Sequence, residues 1–249
     1  MIGRAQIPMA LVLTGVALVA TGCQSTQDKS SEIAAELGPV AQEKGLRIGK
    51  ENREVKVVST TLLTDAVGSA VVVELHNDSG TDLIDAPILI DVLDAKGHSV
   101  YRNDIPGIEP ALASVPFIPA GGDVAWVHDQ ILAVGKPDSV KVKVGAGAEP
   151  FTGEQPEVTV SEPKLEGDPI SGLAAGGKVV NNSGEDQPRV LLYAIARKGD
   201  RIVAAGRGAV EHLKATGKPI AYSIFFIGDP KGAQLTVTYY PTLPGQEGA

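Results

Sequence analysis

Between Val55 and Thr242 the chain states one plan twice, and this duplication limits its fold more than any other feature. His76-Asn77-Asp78-Ser79-Gly80 matches Val180-Asn181-Asn182-Ser183-Gly184, and Ile88–Leu93 matches Val190–Ile195. Asp94-Ala95-Lys96-Gly97 matches Ala196-Arg197-Lys198-Gly199, Val124–Val127 matches Ile220–Ser223, and Val140–Val144 matches Leu235–Tyr239. The matches keep one order with gaps of a few residues. Two copies are too few for a solenoid, so each copy must close a core of its own.

Each copy reads as β structure. In the first, short apolar or alternating runs fall at 55–62, 70–76, 88–93, 99–102, 114–118, 124–128 and 139–144. Val140-Lys141-Val142-Lys143-Val144 shows the period of two expected of a half-buried strand. No stretch has the helical period that a βαβ unit requires. Seven short runs in about 90 residues predict an antiparallel sandwich. The turns explain the repeated motifs: Asn, Asp and Ser cap turns through their side chains, and Gly tolerates positive φ. Pro87 and Pro188 are expected at strand starts, where a missing N–H is tolerated. The expected fold class is therefore all-β: two tandem sandwiches, 53–147 and 156–242, with a linker at 148–155 that continues the Gly/Ala run 145–148, and a fraying tail at 243–249.

The second copy pairs its Asn181-Asn182-Ser183-Gly184 turn with a strand carrying Leu191-Leu192-Tyr193. This combination resembles the FxLYD type of bacterial Ig-like domain. The first copy has Ile88-Leu89-Ile90-Asp91-Val92 there and lacks the Tyr, and the Phe is absent from both. The resemblance implies tandem Ig-like domains of a surface lipoprotein and carries over no catalytic residue.

The N-terminus has a different character. Met1-Ile2-Gly3-Arg4 precedes an apolar run, Ala5 to Ala20, and then Thr21-Gly22-Cys23. About 16 helical residues reach about 24 Å, short of a hydrocarbon core of about 30 Å, and Pro8 interrupts them. A secretory signal, residues 1–22, is the better reading than a spanning helix. Val19-Ala20-Thr21-Gly22-Cys23 resembles a bacterial lipobox, which implies cleavage between Gly22 and Cys23 and acylation (palmitate-type) of the Cys23 sulfur. The chain is then expected on the extracytoplasmic face of the cell membrane, lipid-anchored through Cys23. Residues 23–52 are polar and mixed and read as a tether. Ile33 and Leu37 suggest a short helical stretch within it, ended by Pro39.

Composition excludes other classes. Cys23 is the only cysteine, so there is no disulfide framework and no Cys-rich metal site. A net charge of −8 argues against a nucleic-acid partner. The charge is uneven: residues 53–147 hold 7 basic and 13 acidic groups, while 156–242 hold 10 and 9. The four histidines, 76, 98, 128 and 212, share no metal-binding spacing, and no Gly-x-Ser-x-Gly elbow occurs. Asp78, Asp82 and Asp85 lack the spacing of a calcium loop. No cofactor, metal or catalytic residue is expected.

The most distinctive segment is Ala125-Trp126-Val127-His128-Asp129, which holds the only Trp. Trp126, His128 and Asp129 are the candidate binding residues, with Trp126 as core filler between sheets the competing reading. The expected function is a non-catalytic binding, assembly or scaffolding module, with an envelope or secreted protein as partner. Two alternatives stand beside it. One is a small-ligand or metal-handling lipoprotein with a site between loops or domains, hinged at Gly145–Pro156. The other is an enzyme whose site is assembled from distant loops.

Overall fold

A computed structural model describes residues 45–168, 172–244 and 246. Gly22, Cys23 and the Ile33–Leu37 stretch lie outside the described residues. Those described belong to one compact unit, and their regular structure is almost entirely strand. Among them no helix is long and apolar enough to cross a membrane.

The first lobe holds β1 (Val55–Thr64), β2 (Ser69–Asn77), β3 (Asp82–Leu93), β4 (Ser99–Arg102), β5 (Ser114–Ile118), β6 (Asp123–Ile131), β7 (Ser139–Val144) and β8 (Glu149–Phe151). One antiparallel sheet has the order β1-β2-β6; in the other, β3 pairs with β4, β5, β7 and β8. The second lobe holds β9 (Val158–Val160), β10 (Lys164–Asp168), β11 (Gly172–Asn181), β12 (Gln187–Lys198), β13 (Arg201–Leu213), β14 (Ile220–Phe225), β15 (Ile227–Gly228) and β16 (Gln234–Pro241). Its sheets run β10-β11-β14, with β9 also on β11, and β15-β13-β12-β16. All seven runs expected in the first copy are strands.

The duplication holds at the level of topology. β2 lies between β1 and β6 as β11 lies between β10 and β14, and β3 pairs with β7 as β12 pairs with β16. The Asn turns are the same device twice. Asn77 is fully buried; its amide donates to the Thr81 and Pro119 carbonyls (2.9 and 3.1 Å) and its Oδ1 accepts from Ser79 N (3.0 Å). Buried Asn181 donates to the Glu185 and Leu213 carbonyls (2.7 and 3.0 Å) and accepts from Ser183 N (2.9 Å). Each ties the end of a core strand to the far sheet, satisfying backbone carbonyls that would otherwise be buried unpaired.

The copies differ at one strand. β13 is a single strand of 13 residues, whereas its counterpart is split into β4 and β5 by residues 103–113. Asn103 seals the break. Its Oδ1 accepts from Ile90 N (2.8 Å) and its amide donates to Ile88 O (2.9 Å) and Leu112 O (2.8 Å), replacing the missing ladder.

Four boundaries differ from the sequence expectation. Residues 45–52, expected as tether, lie on the first lobe: Asn52 N donates to Val144 O (2.8 Å), Ala146 N donates to Lys50 O (2.9 Å), and Ile48 packs against the bare face of Gly145. The expected linker contains β8, because buried Phe151 packs edge-on against Phe117 at 6.2 Å and draws its neighbours into pairing with Asp82–Ile84. The tail does not fray throughout, since Leu243 is buried and the Gln246 amide donates to Asp85 Oδ1 (2.9 Å) and Pro116 O (3.1 Å). Pro87 lies inside β3 rather than at its start.

Candidate functional site at the lobe seam

β12 is apolar on both faces. Val190, Leu192, Ala194 and Ala196 fill the core of the second lobe, while Leu191, Tyr193 and Ile195 belong to the core cluster of the first. Alternation then gives the outward face the series Arg189, Leu191, Tyr193, Ile195, Arg197, an apolar centre with a cation at each end. It rests on the outer face of the β1-β2-β6 sheet, where Ala70, Val72 and Val127 are fully buried. The seam is therefore a second hydrophobic layer rather than a solvent gap, which leaves Gly145–Pro156 no hinge to serve.

Each cation meets an acid of the first lobe. Arg197 donates to Glu74 Oε1 (2.5 Å), whose other oxygen accepts from Ser59 Oγ. The Ser59 hydrogen bond and the Arg197 charge together hold the Glu74 carboxyl below the usual carboxylate range, against the pull of partial burial. Arg189 and Arg207 both donate to Glu109 Oε1. Glu109 sits in the segment that splits β4 from β5. Burial raises its carboxyl, but the two guanidiniums outweigh burial and leave it lowered. The Arg207 side chain is only 5% exposed, and its backbone N–H donates to Asp129 Oδ2 (2.7 Å). Two acids of the first lobe thus hold three arginines of the second. No local motif marks Glu109, Arg189 or Arg207 in the sequence.

The candidate residues Trp126, His128 and Asp129 are split between two environments. β6 alternates, so Trp126 and His128 point into the first lobe and Val127 and Asp129 into the seam. Trp126 is fully buried and its Nε1 donates to Ser114 O (3.0 Å) and Ala111 O (3.2 Å), so it offers no platform to a ligand. His128, also fully buried, stacks edge-on against Trp126 at 5.7 Å. Its Nδ1 accepts from Gln130 N (3.3 Å), which places the proton of the neutral ring on Nε2, 2.8 Å from the Tyr101 hydroxyl. Burial first, and then the nearby Arg207 charge, push His128 down to about 3. Asp129 is raised, chiefly by burial, despite its bond from Arg207 N. All three side chains are engaged by the fold.

Other polar groups at the seam lack partners. The Tyr193 and Tyr240 hydroxyls and Arg207 Nε are buried and unpaired. Burial raises the Tyr240 phenol, and the Tyr193 phenol with it. The two rings lie 5.1 Å apart. Tyr240 also forms part of the wall of a cleft of about 380 Å³ between the lobes, with Val58, Glu74, Leu75, Asp123, Val124, Ala125, Arg197 and Thr238. Among the described residues no group of three or more His, Cys, Asp or Glu is placed to hold a metal ion.

A scan against protein-family models and a search of curated proteins both return no match.

Proposed function

We propose that this chain is a lipid-anchored extracytoplasmic module that works by binding or scaffolding, with its two Ig-like lobes presented as one rigid body. The observation that carries the reading is the seam. β12 is buried on both faces, and arginines at both ends of its outward face are held by acids of the other lobe, so relative lobe motion would expose apolar surface and break ion pairs. A rigid β body on a tether suits presentation of a surface to a partner. The lipobox-like context of Cys23 supplies the anchor, and 21 residues lie between it and Gly45. If flexible, that length averages about 26 Å, enough to hold the body clear of a bilayer surface. The candidate polar residues of β6 support the same reading, because the fold itself uses them.

The test is fractionation with acyl labelling. The wild-type chain is expected in the membrane fraction carrying metabolically incorporated palmitate, and Cys23→Ser is expected soluble and unlabelled. Retention of Cys23→Ser in the membrane fraction overturns the anchor.

A further inference from the structure

We infer that the open edge of β16 is an interaction surface for a second copy of this chain, paired with it antiparallel about a two-fold axis at Val237. The inference names a partner for the binding module proposed above and does not rest on the lipid anchor.

β16 ends its sheet, with β12 on one side and, among the described residues, no strand on the other. Thr242 N donates to Arg189 O across the ladder (3.1 Å), and Pro241, which has no N–H, lies opposite Val190. Hydrogen-bonded and non-hydrogen-bonded pairs alternate along an antiparallel ladder. Thr236, Thr238 and Tyr240 therefore bond to β12, while the N–H and C=O groups of Leu235, Val237 and Tyr239 point away from it. Such a row is a template for another strand.

Other edges are guarded against this use. β7, the counterpart of β16, carries Lys141 and Lys143, β10 carries Lys164 and Glu166, and β6 carries Asp123 and Asp129. β1 is interrupted by a bulge between Val57 and Ser59, and β14 turns its Phe225 carbonyl onto Gly206 of β13. Charges and bulges of this kind block edge pairing. β16 has eight residues, no charge, no bulge, and a proline only at its last position.

The register identifies the occupant. A two-fold axis at Val237 sets Val237 opposite its own copy, Leu235 opposite Tyr239 of the second copy, and Thr236 opposite Thr238 of the second copy. The outward backbone groups then meet in hydrogen-bonded pairs, each exchanging two N–H···O bonds. Aliphatic, aromatic–aliphatic and Thr–Thr neighbours are favourable across strands, and no charge opposes another. Thr236 and Thr238 are exposed, so the seam side of this edge is open. An axis that relates two edge-paired strands stands perpendicular to the sheet and keeps each face on its own side. The first lobe lies on the face of β12 that carries Leu191 and Tyr193, so both first lobes, and with them both chains at Gly45, come to one side of the joined sheet. Two copies anchored in one bilayer require that arrangement, and a two-fold contact closes the pair without propagating it.

The experiment uses the mature chain carrying Cys23→Ser, sedimented at loads from about 5 µM to about 500 µM, the span suited to a small, weak interface. The expected result is a reversible monomer–dimer equilibrium in which amide exchange at Leu235, Val237 and Tyr239 slows as the load rises. Thr236→Lys combined with Thr238→Lys places like charges opposite one another across the axis and is expected to weaken the dimer at least about tenfold. Thr236→Glu combined with Thr238→Lys places opposite charges there and is expected to restore it. Both variants change exposed side chains, and unaltered Trp126 fluorescence checks that each is folded. The inference is overturned by a monomer at every load, by a dimer that the lysine pair leaves intact, by failure of the glutamate–lysine pair to restore it, or by protection confined to amides outside β16. Any of these would leave the anchor standing, since fractionation tests it separately.

Discussion

Replacing His128 with glutamine should remove a pH dependence of stability that the fold imposes on this one ring. In the folded chain His128 is neutral, with its proton on Nε2, and burial holds it near 3; its ordinary value is 6.5. Its folded value is therefore depressed. The unfolded chain binds the proton more readily, so the contribution is fully present above pH 6.5 and is lost as the pH falls toward about 3. At pH 5 the unfolded imidazole is about 1.5 pH units below its midpoint, while the folded ring is still neutral. At about 1.36 kcal/mol per unit, the wild type should lose about 2 kcal/mol between pH 8 and pH 5 that His128→Gln does not lose. Glutamine retains a donor and an acceptor for Tyr101 and Gln130. His76, His98, His212 and Asp129 remain in both proteins, so their titrations cancel in the difference. Urea unfolding followed by the fluorescence of Trp126, whose ring lies 5.7 Å from His128, measures the effect at both pH values. Stability curves that run parallel for the two proteins across this range would refute the reasoning.

Four further substitutions probe how the lobes are built and joined. A methyl group on Gly206 would lie 2.0 Å from the Phe225 carbonyl oxygen, a backbone atom that cannot step aside. Gly206→Ala should therefore cost about 2 kcal/mol or more in urea unfolding, and a neutral outcome would show that β13 and β14 are not in close contact. Glu109→Ala leaves the buried Arg207 without its carboxylate and should destabilise by about 3 kcal/mol; Arg207→Met in the same background should recover part of that loss, which a thermal-melt cycle would reveal. Asn103→Ala removes three hydrogen bonds to buried backbone and should cost about 2–3 kcal/mol, with amide exchange accelerating first at Ile90.

Most of the strand plan could be read from residues, because short β runs and Asn-Ser-Gly turns are local signals. β13 is the exception. Its sequence Arg201–Leu213 is rich in Ala and Gly, poor strand formers, and its glycines are set by a neighbour rather than by strand preference: Gly206 faces the β14 backbone and Gly208 faces Ile224. The run Val190–Ala196 reads as a strand, but a sandwich strand needs only one buried face, and nothing local says that the other is covered or by what. The site residues show the same limit. Trp126, His128 and Asp129 stand out because they are rare and adjacent in sequence, but adjacency in a strand sends neighbours to opposite faces. The cleft was not legible, since Glu74 and Arg197 are 123 residues apart and meet only once the lobes dock.

The contact between the lobes joins unlike surfaces of two like units, the back of one sheet to the back of the other. Contacts of that kind have no internal stop: a unit that has docked still presents the surface on which another could dock, and the result is a filament. On the second lobe that surface is altered. By register, the positions equivalent to Val72 and Val127 on the second lobe are Gly176 and Ser223, and the position equivalent to Glu74 is Lys178. A further β12-like face would find no apolar seat there, and its terminal arginine would meet a lysine. The second copy thereby carries a surface that would not seat another unit by the contact that joins the two lobes.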